Sequence, residues 1–137
     1  MTSSLSRGQL GVFALLGFGV WLSGAVMFRF GGHLMFESGP WGVLISAVVI
    51  AASVCLLLNA SMSWRGASAA QAVTVAVVMA LPGLFGDVLY ILAFPLITGL
   101  RPLTAIPYAA VIVFGNAVLL AFALLRAETT IWKGAAR

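Results

Sequence analysis

The sequence predicts an all-α membrane protein: four transmembrane helices in a compact bundle, the third helix bent at Pro82. Three observations predict it. Of the 137 residues, 63% are hydrophobic and only 7% charged, whereas a soluble domain carries about a quarter charged residues to cover its surface. Mean hydropathy is +1.17. The apolar residues also fall into four long runs, each able to supply the ~20 helical residues that a bilayer core requires. Membrane-barrel strands use ~9–11 residues of alternating polarity, which these runs do not resemble.

Taken in order, the first span covers about residues 10–30, with Arg29 near its end. The second, 41–58, is entered through Gly39-Pro40 and closed by the polar stretch Asn59 to Gly66. The third, about 69–100, carries Pro82, Gly83, Gly86 and Pro95. The fourth, 103–125, follows Arg101-Pro102 and ends at Arg126. Together they make one transmembrane domain over residues 1–137, with no stretch long enough for a soluble catalytic domain.

Positive charge sets the expected direction. With four spans, Arg7, Arg65, Arg126, Lys133 and Arg137 share one side, and only Arg29 and Arg101 lie on the other, where Glu37 offsets part of their charge. The positive-inside rule then places both termini in the cytoplasm. Trp41 and Tyr108 are expected at the outer membrane boundary and Trp64 and Trp132 at the inner one, as an aromatic belt. A competing reading takes Arg7, the apolar run and Ser23-Gly24-Ala25 as a signal peptide, which would leave three spans. The run is long for that purpose, so retention is preferred.

Lipid gives apolar helices little reason to associate, so small residues must let backbones approach. Gly17 and Gly24 lie on one face of the first span with Trp21 between them, and Gly83 and Gly86 lie just beyond Pro82. Ser46, Ala47 and Ser53 offer the second span a small face, and Gly115 adjoins Asn116 in the fourth. Pro82 removes a backbone donor and crowds the preceding turn, which predicts a bend and a carbonyl near Val78 or Met79 seeking another partner.

Asp87 is the most informative residue. An ionised carboxylate at such a position costs at least ~2.5–3.5 kcal/mol on an insertion scale unless it is paired or watered. It must therefore stay protonated or face a cation inside the bundle. Counted from the same side, Arg29 and Asp87 lie at similar depths, at ~1.5 Å per residue. That predicts an Arg29–Asp87 pair, with His33 one turn above Arg29. His33 is either a titrating group near that acid or an interfacial histidine bonded to water or Glu37, and the second reading is favoured. Asn116, near the middle of the fourth span, is expected to clamp one helix to another.

Several classes of function are excluded or unsupported. The seven Lys and Arg residues are scattered without a basic run, so the pI near 10.3 does not indicate nucleic acid. Cys55 is alone, which excludes an intrachain disulfide or a thiol pair. A single histidine excludes bis-histidine haem, no metal-ligand spacing occurs, and no nucleophile has a base beside it. No catalytic residues, metal or cofactor are expected.

The segments Trp21…Phe28-Arg29-Phe30-Gly31-Gly32-His33, Pro82…Gly86-Asp87 and Phe94-Pro95 resemble an uncharacterised group of small bacterial four-helix membrane proteins, catalogued as a domain of unknown function. Leu96-Ile97 departs from it, standing where a more polar continuation is expected. The resemblance covers nearly the whole chain and singles out Arg29, Gly32 and Asp87. It implies a bacterial inner (plasma) membrane location and brings no activity with it.

Two functions lead at this point, ahead of an intramembrane enzyme for which Asp87 with His33 is the only conceivable set. One is a non-enzymatic accessory or interaction protein, held together by the buried Arg29–Asp87 pair. The other is a small oligomeric transporter or channel using Asp87 as a proton- or cation-linked site. Expected partners are the lipid bilayer and either further copies of the chain or another membrane protein.

Overall fold

The computed structural model describes the backbone of residues 5–135 and side chains as far as Thr129. The described residues form five α-helices and no strand: α1 (Arg7–Gly32), α2 (Pro40–Arg65), α3 (Ala72–Leu92), α4 (Phe94–Thr98) and α5 (Ala105–Ala135). Four segments are long and apolar enough to cross a membrane: Arg7–Glu37, Pro40–Arg65, Ala69–Leu92 and Pro102–Thr129. Arg137 and the side chains of Trp132 and Lys133, used above for direction, lie outside the described residues.

Local chemistry sets the helix ends. α1 and the 3-10 turn leading into α3 each begin with a Ser-x-x-Gln capping box, at Ser6/Gln9 and Ser68/Gln71. In each, serine and glutamine satisfy one another's orphan amides. α2 begins with Pro40 as its first residue, where a missing amide proton costs nothing. α2 ends at Gly66, whose φ of +65° lets its N–H turn back onto the Met62 carbonyl. α1 continues without a break through Ser23-Gly24-Ala25 and winds into a π-helical turn over His33–Glu37.

The long third run does not form one helix to residue 100. α3 runs through Pro82 and stops at Leu92, with Ala93 leaving helical geometry (φ −105°, ψ 19°). Pro95 has no amide proton to carry that helix onward, and the chain turns into the short α4 before Gly99 closes it.

α1 packs on α3, α3 on α5 and α5 on α2, whereas α1 and α2 make little contact along their lengths. The bundle is therefore open along one side. Two buried clusters hold its ends. Phe13, Leu58, Met62, Val75 and Met79 lie toward the Arg65 end. The Arg29 end is aromatic, built on Phe28, Phe36, Tyr90, Phe94 and Tyr108.

The α1–α3 contact depends on glycine. A Cβ on Gly17 would run into the Met79 carbonyl oxygen, so glycine alone allows this approach, with its α-hydrogen facing that oxygen. Four residues on, Trp21 lies against bare backbone at Gly83 and Gly86, where a Cβ on Gly86 would come within 2.6 Å of the indole.

Candidate functional site

The Gly83–Gly86 seat fixes the Trp21 ring so that its Nε1 donates to Asp87 Oδ1 at 3.0 Å. From α5, the Tyr108 hydroxyl donates to the same oxygen at 2.6 Å. Phe28, Phe36, Tyr90 and Phe94 surround the Tyr108 ring at centroid distances of 5.2–5.9 Å, so it has little freedom to move. Asp87 is 6% exposed. Its Oδ2 receives no hydrogen bond from the described residues. Buried tyrosine and tryptophan need partners for their polar ends, and here one carboxyl oxygen serves both.

Asp87 borders a cavity of about 710 Å³ lined by all four long helices, including Trp21, Ser53, Gly83, Tyr108 and Asn116. The cavity lies where α1 and α2 stand apart. On α1 its exposed rim is Leu15, Gly19, Ser23 and Met27, and on α2 it is Val49, Ser53 and Leu57. It is a groove in the membrane-facing side of the bundle, with the carboxyl in its floor.

The expected Arg29–Asp87 pair does not form. Arg29 Nη1 donates instead to the Thr98 carbonyl at 2.5 Å. There the cation meets the last carbonyl of α4, a favourable place for positive charge. Helix register explains the error. Trp21 is level with Asp87, and Arg29 lies eight residues farther along α1, or ~12 Å nearer the membrane surface. The Tyr90 hydroxyl, one turn beyond Asp87, already reaches the Ala25 carbonyl at 3.1 Å. Arg29 instead borders a smaller cavity of about 300 Å³ with Phe30, Tyr90 and Ile97.

His33 is also separate from Asp87. Its exposed ring bonds through Nδ1 to Glu37 Oε2 at 2.6 Å. Glu37 ties two turns together: its Oε1 accepts from the Thr104 hydroxyl at 2.7 Å and the Arg101 amide at 3.2 Å. Asn116 lines the groove, but its Nδ2 donates to Ile112 of its own helix at 2.9 Å rather than clamping another. Among the described residues no group of acidic, histidine and cysteine side chains is placed to hold a metal ion.

Sequence reasoning missed Trp21 and Tyr108 as partners of Asp87. Tyr108 was expected in the outer aromatic belt, but it is 1% exposed inside the bundle. The available signal was its position six residues past Pro102, ~9 Å along the helix. Trp41 and Trp64, at 74% and 67% exposure, do lie at opposite ends of α2.

Residues 35–130 match the sequence model of a family described as one of unknown function (DUF5367). Arg29 and Gly32, which carried the resemblance in α1, fall before the matched region, and Asp87, Tyr108 and Asn116 fall within it. Nothing among curated proteins or solved structures matches the chain.

Proposed function

We propose, from the premise that the chain belongs to the DUF5367 family and inherits no activity from it, that it is a small membrane transport or ligand-binding protein whose working group is Asp87. One observation carries this reading: the lone intramembrane acid is held through one oxygen by Trp21 and Tyr108 and borders a groove instead of facing a cation. Intramembrane acids that border a cavity mark substrate, ion or proton sites, and the two donors to Oδ1 leave Oδ2 for that role. The accessory-protein reading rested on the Arg29–Asp87 pair, and Arg29 is engaged with Thr98.

In the proposed cycle Asp87 exchanges a proton for a ligand at Oδ2, while the two donors keep the carboxyl in place. No catalytic residue or cofactor is assigned. The charge distribution, five Lys and Arg residues against two, supports an orientation with both termini cytoplasmic, and the family resemblance supports a bacterial plasma membrane. Four helices around one open groove also suit a working unit of more than one copy.

Difference infrared spectroscopy of the protein in lipid tests the reading. The intact protein should show a carboxyl band that responds to bulk pH and to deuterium exchange, and Asp87→Asn should remove it while leaving the protein folded. A band that ignores both pH and deuterium would overturn the proposal.

A further inference from the structure

Resting on the assignment of Asp87 as the working group, we infer that the groove takes a lipophilic organic cation, which arrives sideways from the hydrocarbon between α1 and α2. The cation's charge is seated beside Asp87, and its apolar substituents lie along the groove. Four features support this occupant and this route.

The first is the position of the mouth. Its rim on α1 runs from Leu15 to Met27 at four-residue spacing, ~18 Å along the helix, with Leu15 72% exposed and Met27 45%. In a bilayer these side chains face acyl chains. The second is the chemistry of the rim. Its two hydroxyls are bonded within their own helices, Ser23 to the Gly19 carbonyl at 2.8 Å and Ser53 to the Val49 carbonyl at 2.7 Å. Both hydroxyl protons are thereby occupied, so the rim offers a passing molecule only acceptor lone pairs.

The third is charge complementarity. Among the described residues that line the groove, Asp87 is the acidic side chain and none is Lys or Arg. The fourth is the aromatic setting. Trp21, Phe28 and Tyr108 line the groove at the Asp87 end, an apolar wall for the hydrocarbon substituents of such a cation. An anion would gain nothing from the third feature, and a neutral polar solute nothing from either. A volume of about 710 Å³ is in the range of small-molecule sites.

The test uses tetraphenylphosphonium as the cation and tetraphenylborate as an anion of nearly the same shape. Each is titrated against the full chain in lipid nanodiscs, with empty nanodiscs as the partition control. The cation should bind at least about tenfold more tightly than the anion, and Asp87→Asn should lose most of that difference. Gly19→Phe, at a rim position where an added Cβ meets open space, should weaken cation binding while the Asp87 infrared band still titrates. Equal binding of the two ions, no binding of the cation, or cation binding indifferent to Asp87→Asn would overturn the inference. If the Asp87 band nevertheless titrates in the intact protein, only the ligand class has failed; if that band is silent, the assignment of Asp87 has failed with it.

Discussion

The indole of Trp21 on α1 donates to the carboxyl of Asp87 on α3 at 3.0 Å, over backbone left bare by Gly83 and Gly86. Packing and polar chemistry are therefore one arrangement here. The close approach that brings α1 and α3 together also delivers the first donor to the intramembrane acid.

The two glycines should respond differently to substitution. A Cβ on Gly86 would lie 2.6 Å from the indole, whereas one on Gly83 would lie 3.4 Å away. Gly86→Ala should destabilise the bundle by about 1–3 kcal/mol through overpacking, outweighing the roughly 0.5–1 kcal/mol that alanine gains over glycine in a helix. Gly83→Ala should be close to neutral. Unfolding in mixed micelles followed by tryptophan fluorescence checks the order; equal effects would count against the seat.

Arg29 and Asp87 occupy separate sites, so their substitutions should act independently. The losses from Arg29→Ala and Asp87→Ala should add within about 0.3–0.5 kcal/mol in the double variant, as expected of sites without shared partners. A direct pair would instead make the double variant much less damaging than the sum. The same unfolding measurement, run as a double-mutant cycle, distinguishes the two.

Removing the Tyr108 hydroxyl should disturb Asp87 without dismantling the aromatic cluster, because Phe keeps the ring. Tyr108→Phe should cost about 0.6–1.7 kcal/mol, from the average to the largest value for hydrogen bonds inside membranes. It should also shift the Asp87 carboxyl band. A normal band in this variant would contradict the hydrogen bond.

Glu37 should matter at the membrane surface instead of in the groove. Glu37→Ala removes the acceptor for the Arg101 amide and the Thr104 hydroxyl, so hydrogen exchange should quicken at residues 99–104. Exchange around Asp87 should stay unchanged. Faster exchange throughout α3 would show that the turn does more than tie two loops.

Much of the fold was legible because hydrophobicity is a bulk property of long segments. Residues 10–30 and 41–58 lie inside α1 and α2, and Gly17, Gly83 and Gly86 were visible as packing positions. What was not legible depends on register. Counting residues from the ends of apolar runs put Arg29 level with Asp87, and a slip of eight residues moves a side chain ~12 Å. That slip arises where Gly17 abuts Met79 and Trp21 abuts Gly83, relationships between distant segments that no local pattern carries. Asp87 itself was found from desolvation alone, since an acid in an apolar run demands a reason. Its partners were missed because Tyr108 lies near a charged turn and reads as interfacial, whereas the packing of Phe28, Phe36 and Phe94 draws it inside.

The central claim is that the Asp87 carboxyl can be reached from the lipid through the gap between α1 and α2. Labelling with dicyclohexylcarbodiimide, a lipid-soluble reagent for protonated carboxyls, tests it most directly when the modified residue is mapped by mass spectrometry. Modification is expected at Asp87, slowed by Gly19→Phe at the rim and by tetraphenylphosphonium in the groove. An unmodified Asp87 under conditions where Glu128 reacts would contradict it.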